Sequence, residues 1–286
     1  MRGRSGGEGF LRSDPSPAPS GHPLPQGERG SFASIFTTGL LNNIPTIWSV
    51  PEEVPVAILL NSQSYTVMMA TPADLEDFGM GFVLSEGLAA HHTHVRNVIV
   101  LQQDEGFSVD VAGEFIRERM ISRALEGRVG CGLCGIAELE DAIRMPAHKV
   151  PRVKFEAAAI AKAFAALPAH QPMNAVNRTV HAAAFCSVDG AILLAREDVG
   201  RHNALDKLIG ALARRNVRPE NGFVVMSSRC SFELVQKCAR VGLGALATVS
   251  APTALALKLA RQAGLLLAAH SPEGVMIFDG ATDENG

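Results

Sequence analysis

Apolar positions recur along this chain in two rhythms. Residues 54–60 and 65–69 are short β-like runs separated by Asn61-Ser62-Gln63-Ser64, which predicts two strands joined as a hairpin. Thr71-Pro72-Ala73-Asp74-Leu75 then opens a helical pattern that continues to about Glu86, with Thr71 as the expected cap and Pro72 in the first turn. Residues 95–102 and 106–111 read as further strands. Together these elements predict a small α+β unit over 45–150, with its first ordered residues near Ile47. Residues 1–44 ahead of it, rich in Gly, Ser, Pro and Arg, show almost no apolar periodicity and are expected to form a disordered tail.

Past Met120 the pattern lapses until a helical stretch at 136–145, and Pro146 and Pro151 mark a linker. Residues 156–167 are Ala-rich and helical, and residues 168–173 end that helix. A second unit is expected over 151–280. Strands at 180–188 and 191–195 meet at Asp189-Gly190, a strong hairpin signal. Then follow a helix at 203–214, a strand at 223–227, a helix at 232–241, a strand at 245–250, a helix at 253–263 and a strand at 265–269. Such alternation predicts an α/β domain whose largely parallel sheet is covered by helices, and the entering hairpin makes the sheet mixed.

That topology directs attention to loops. In open α/β sheets ligands sit beyond the carboxyl ends of the strands, where helix N-termini point inward. Three segments fall there: Arg196-Glu197-Asp198-Val199-Gly200-Arg201-His202-Asn203, Ser227-Ser228-Arg229-Cys230-Ser231 and Ser250-Ala251-Pro252-Thr253. Arg201, His202, Asn203, Asp206, Ser228, Arg229, Ser250 and Thr253 are therefore candidate binding residues for a phosphorylated or nucleotide-like ligand. Capped helix starts with surface ion pairs would explain the hydroxyl segments equally well. The density of Arg201, His202, Asn203 and Asp206 around one turn favours a site.

Composition narrows the choice of partners. The chain has 286 residues, 47% hydrophobic and 19% charged, enough for one large or two ordinary globular domains. A formal net charge of -3 gives no reason to expect nucleic acid through bulk electrostatics. The longest apolar run, 265–269, is far short of the ~20 residues a spanning helix needs, so no membrane partner is expected. Five cysteines, an odd number behind no signal-like apolar start, argue for a reducing compartment, and a cytoplasmic protein is expected.

The most chemically specific stretch is Gly130-Cys131-Gly132-Leu133-Cys134-Gly135, leading into the helical pattern 136–145. Flanking glycines remove side-chain cover and permit sharp bends, and a helix start favours thiolate over thiol. Four uses are open to such a pair. Zinc would need two more ligands, and Cys186, Cys230 and Cys238 are isolated on predicted elements. A thioredoxin-like redox pair fits the position but lacks Trp and Pro neighbours, and an iron–sulfur cluster generally wants more thiolates. Transfer of sulfane sulfur as a persulfide suits an open, glycine-framed loop. The three isolated cysteines are expected to pack as small hydrophobes, with Cys230 nearest the rim. His91, His92 and His94 fall in a polar connection without a nearby carboxylate or thiol, so no metal site is expected there. Glu86 could be functional or simply close a helix, and His181 could be packed or functional.

These residues together carry a resemblance. Gly-Cys-Gly-Leu-Cys-Gly at 130–135, Val180-His181-Ala182-Ala183-Ala184, the run from Arg196 through Asp206 to Lys207, Ser227-Ser228-Arg229-Cys230-Ser231-Phe232-Glu233 and Ser250-Ala251-Pro252-Thr253 resemble the family of formate dehydrogenase accessory sulfurtransferases, over about residues 45–280. The resemblance implies a cytoplasmic sulfur relay. A cysteine desulfurase would load a persulfide on Cys131, with Cys134 as companion, and the sulfur would pass to the molybdenum bis-(molybdopterin guanine dinucleotide) cofactor, a bound substrate destined for formate dehydrogenase. It also implies a cytidine-deaminase-like, three-layer second domain and cofactor contacts at His270, Ser271, Pro272, Glu273, Gly274 and Val275; a parallel-sheet domain of this type commonly pairs, so a homodimer is expected as well. The chain departs from the family in two places: an arginine usual in that last segment is missing, and Arg178-Thr179-Val180 stands where members often carry glycines.

Two other functions compete. Zinc deaminases use H-x-E with a downstream P-C-x-x-C, whereas here His181-Ala182-Ala183 lacks the acid and the cysteine pair lies upstream. A chaperone that delivers the cofactor without moving sulfur would not need the cysteine pair, which discriminates the two.

Overall fold

Two sheets lie on opposite sides of a helical layer, and alternation of apolar residues along their strands dictates which face each sheet turns inward. The structure, a computed structural model, describes residues 34–116, 149–151, 153 and 155–278. Strands β1 (Ser34–Leu41) and β2 (Ile44–Pro51) form an antiparallel hairpin. Residues 34–44 were expected in the tail. They pair instead, because Ile35, Phe36, Leu40, Leu41 and Ile44 are good strand formers and Asn42 and Asn43 adopt the positive φ (51° and 67°) that a two-residue hairpin turn requires.

Strands β3 (Val54–Leu60), β4 (Gln63–Ala70), β5 (Val95–Gln103) and β6 (Gly106–Gly113) make a four-stranded sheet in the order β4-β3-β6-β5, in which only β3 and β6 run parallel. Its buried residues Val56, Ile58, Leu60, Val109 and Val111 pack with Phe78 and Phe82 of helix α1 (Leu75–Ser85). The helix starts later than expected. Asp74, at φ 52°, is its N-cap, while the Thr71 hydroxyl accepts the Val199 N–H (3.1 Å) across the molecule. Tertiary hydrogen bonds thus outcompete the local cap at Thr71.

Helices α2 (Ala157–Ala166) and α3 (Pro172–Asn177) precede a six-stranded sheet built from β7 (His181–Ser187), β8 (Ile192–Asp198), β9 (Gly222–Met226), β10 (Ala245–Val249), β11 (Leu266–Ser271) and β12 (Gly274–Phe278). The order is β12-β11-β10-β9-β7-β8, with β9, β10 and β11 parallel and β7 and β12 antiparallel to their neighbours. Neighbouring residues part company as strand geometry demands. Phe185, Val224, Met226, Leu246 and Leu267 join the cluster formed with α4 (Arg201–Arg214), α5 (Phe232–Arg240) and α6 (Ala254–Ala263). Ala184, Cys186, Phe223, Val225, Ala247 and Ala268 join the other cluster, with Ile160 and Ala163 of α2. Strand β12 was not anticipated; Gly274 at φ 130° lets the chain double back after Ser271, so residues 270–275 form a hairpin tip.

The tightest packing lies where α1 crosses α4. A Cβ on Gly81 would meet the Asp206 carbonyl oxygen at 1.7 Å, and one on Gly210 would meet the Asp77 oxygen at 1.9 Å. Only glycine allows the backbones this close. Both sheets consequently contribute to one apolar cluster, which runs from Val56 through Phe78, Leu205 and Leu208 to Leu267.

Candidate functional site

Strand register collects the candidate rim on one edge of the six-stranded sheet. His181, opening β7, lies opposite Asp198, which closes β8. Met226 at the end of β9 is level with Ala183 and Thr248, and Val249 is level with His270. Helices α4, α5 and α6 all begin at this edge, so their unpaired N–H groups and dipoles favour an anion there. The loops are laced together: Val249 N–H donates to the Ser228 carbonyl (3.1 Å), Ser250 N–H to the His270 carbonyl (2.9 Å) and Thr253 N–H to the Cys230 carbonyl (3.3 Å). Ser250 sits at φ 62°, and the Thr253 hydroxyl caps α6 by accepting Ala256 N–H (3.2 Å).

Charge at this edge is unevenly matched. His202 Nε2 lies 2.9 Å from Glu233 Oε2 and 3.4 Å from Ser231 Oγ. The hydrogen bond to His202 outweighs burial and holds the Glu233 carboxyl below its usual range. His181 is half-buried among Arg201, Asp198 and His202; burial first, then the Arg201 charge, lowers its pKa, so its imidazole is neutral at neutral pH. Arg201 is half-buried and Arg229 exposed, and neither is drawn into an ion pair among the described residues. Two uncompensated guanidinium groups beside three helix starts can take up a phosphate or diphosphate.

Not every expected rim residue reaches the rim. Successive helical residues turn by ~100°, so Arg201 and His202 face outward while Asn203, Asp206 and Lys207 face the α1 layer. Asn203 Nδ2 donates to the Met69 carbonyl (2.8 Å) and to Asp198 Oδ1 (3.0 Å). Asp206 is 1% exposed, accepts from Lys237 Nζ at 2.9 Å on both oxygens and from Ser85 Oγ at 2.6 Å, and so lies buried beneath the rim. Ser228 is buried and donates to the Arg229 carbonyl (3.2 Å). In the hairpin tip, Pro272, Glu273 and Gly274 are exposed, Ser271 and Val275 are half-buried, and the His270 ring stacks on Phe164 with centroids 4.7 Å apart.

Two buried lysines anchor the layer beneath. Lys207 Nζ lies 2.6 Å from Asp198 Oδ2, with both side chains fully buried, and donates to the Thr71 carbonyl (2.9 Å). Lys237 joins Asp206, Ser85 and Glu86, the last at 2.8 Å. Glu86, open to either reading in the sequence, thus belongs to this buried cluster. Burial itself lowers the Lys237 pKa, but Asp206 and Glu86 together more than reverse this; burial meanwhile raises that of Asp206. The Lys207 and Lys237 partners and the His202–Glu233 pair were not foreseen, since their members come from segments distant in sequence.

The isolated cysteines pack as expected. Cys186, Cys230 and Cys238 are buried, and burial pushes the Cys186 and Cys230 thiols up to about 12 and Cys238 higher still, which removes them as nucleophiles at neutral pH. His91 caps a short 3-10 turn, and no cluster of three metal-binding side chains occurs among the described residues. Among those residues, no helix is long and apolar enough to cross a membrane. Cys131, Cys134 and the helical pattern after them lie outside the described residues. Ile116 N–H donates to the Leu88 carbonyl and Val150 N–H to the Ala263 carbonyl, each at 2.9 Å, on either side of that segment.

This arrangement of mixed sheets and helices is shared with a solved structure of a proposed formate dehydrogenase accessory protein from Desulfotalea psychrophila, at a TM-score of 0.71 and 25% identity over 86% of this chain and 97% of that one. The FdhD/NarQ family model matches residues 51–281, and the chain belongs to that family. A protein of Cupriavidus necator named sulfur carrier protein FdhD is 46% identical over 231 residues, 80% of each chain. Another of the same name from Chromobacterium violaceum is 47% identical over 248 residues, 84% of this chain and 92% of that one.

Proposed function

We propose that this chain is a sulfurtransferase that carries sulfur from a cysteine desulfurase to the molybdenum bis-(molybdopterin guanine dinucleotide) cofactor and thereby serves formate dehydrogenase in the cytoplasm. The observation that carries this reading is the 46% identity to a sulfur carrier protein across four fifths of both chains. The strand order β8-β7-β9-β10-β11 supports a cytidine-deaminase-like scaffold, with β12 added at one edge.

Chemically, the Cys131 thiolate attacks the terminal sulfur of the desulfurase persulfide; one S–S bond forms, another breaks, and the donor cysteine leaves as thiolate. Attack by Cys134 on the Cys131 persulfide then forms an internal disulfide and expels sulfide towards the bound cofactor. The two thiols supply the two electrons that reduce the sulfane sulfur, and a cellular thiol resets the pair. Arg201, Arg229, His202 and the helix starts hold the guanine dinucleotide's phosphates, with Ser250, Thr253 and the tip residues His270 to Val275 around them.

Incubation of the full chain with a cysteine desulfurase and cysteine is expected to add the mass of one sulfur to the peptide containing Cys131, and an unchanged peptide overturns the assignment. Cys131→Ala abolishes persulfide capture and formate dehydrogenase activation, whereas Cys134→Ala leaves capture intact. Full activation by the Cys131 variant would favour a cofactor-delivering chaperone instead.

A further inference from the structure

His181 stands at the centre of the rim, and neither the sulfur chemistry nor the phosphate contacts employ it. Strand β7 lies between β8 and β9, so its first residue falls between the loops that follow those two strands. On one side His181 is level with Asp198. On the other, Ala182 N–H donates to Ser227 Oγ (2.8 Å) and Ser227 N–H to the Ala182 carbonyl (3.0 Å), which fixes the backbone beside the ring. Helices α4 and α5 start from the same loops, and their first turns meet where His202 Nε2 approaches Ser231 Oγ (3.4 Å). The imidazole is half-buried, and neither ring nitrogen has a hydrogen-bond partner among the described residues. The charged and titratable groups that act on it are Arg201 and His202 of α4 and Asp198 of β8. Asp198 is taken up by Lys207, Asn203 and the Thr71 and Gly200 N–H groups, and His202 faces Glu233 of α5. Arg201 alone of these is drawn into no ion pair among the described residues.

We infer that His181 takes up a proton from solvent when a phosphate diester docks on Arg201, and that the imidazolium so formed becomes a further contact to that phosphate. This rests on the rim being the phosphate site of the proposed function. In the empty rim burial first, and then the Arg201 charge, keeps the imidazole neutral. An anion held by Arg201 offsets the second effect and adds an attraction of its own, because a ring close enough to feel the guanidinium also feels the charge that the guanidinium holds. A lysine or arginine in this place would repel Arg201 whenever the rim is empty. Histidine supplies its charge only when there is an anion to meet it, since a modest change of surroundings moves its titration across neutral pH. Docking raises the His181 pKa from its lowered free value, so affinity is greatest below the free value, falls as pH rises from the free to the bound value, and is flat above both.

The probe is guanosine diphosphate mannose, a pyrophosphate diester of guanosine whose phosphates do not titrate near neutrality. Calorimetry on the full chain at about pH 7, repeated in buffers of different ionisation enthalpy, is expected to count ~0.5–1 proton taken up per probe bound. The dissociation constant should rise ~10-fold between about pH 6 and about pH 8. In His181→Gln and His181→Asn, each made separately, the uptake should vanish, and the dissociation constant should hold the wild type's alkaline value across the range. The wild type supplies a readout that needs no substitution: the His181 ring, followed by NMR, should titrate at higher pH once the probe is bound. Binding without proton uptake, uptake undiminished in both variants, or a ring titration that the probe does not move overturns the inference and leaves the rim as a phosphate site. No binding at any pH removes the rim itself, and the inference with it.

Discussion

Two neighbouring faces of α4 put charge to opposite uses. Arg201 and His202 look outward over the rim, whereas Asp206 and Lys207, one turn on, are sealed against α1 and α5. Arg201 is drawn into no ion pair among the described residues and His202 turns its Nε2 to Glu233 and Ser231 at the rim, whereas the inner pair spends its capacity on Lys237, Asp198, Ser85 and Thr71. Density of charge in a sequence therefore does not reveal a site. Burial and completeness of partners separate a lock from an opening.

The sharpest way to break this comparison is Lys207→Met. It leaves the Asp198 carboxylate buried without its cation, and urea unfolding should show a loss of about 3–5 kcal/mol. A loss below about 1 kcal/mol would mean that the buried layer is not a lock. Arg201→Ala should do the reverse. Stability should stay within about 0.5 kcal/mol of wild type, while calorimetry with guanosine diphosphate should show ~10-fold weaker binding, from loss of a charge-assisted hydrogen bond. Equal affinities would remove the arginine from the site.

The smallest effect concerns His202 and Glu233. The folded-state pKa of Glu233 is depressed below its ordinary 4.5, so the stability it contributes is present above that value and is lost as pH falls through the folded value. In His202→Gln the carboxyl should titrate closer to 4.5, followed by carbon-detected NMR, and the stability difference from wild type should shrink in acid. A pair at the surface of this kind, 21% and 15% exposed and screened by solvent, is worth about 1 kcal/mol or less. An unmoved Glu233 titration would show that the two groups do not interact in solution.

Much of the fold was legible because apolar periodicity is local information. The strands at 54–60, 223–227 and 245–250 and the helix at 232–241 fall within a residue or so of β3, β9, β10 and α5. That the loops after β8, β9 and β10 gather at one end of the sheet followed from topology. What escaped were features decided at long range. Thr71 carries a good cap signal but is claimed by Val199, Asp198 and Lys207; the β1–β2 hairpin adjoins a stretch of Pro and Gly that hides its pattern. Asp206 looked like a binding residue because a one-dimensional reading does not show that α1 lies over it.

The glycine contact between α1 and α4 bears on how the molecule comes apart. With Gly81 against Asp206 and Gly210 against Asp77, no layer of side chains separates the helices, and neither can loosen without exposing the other's backbone. A chain whose sequence reads as two successive domains should then melt in one cooperative transition, with equal calorimetric and van't Hoff enthalpies, and neither half should survive expression alone.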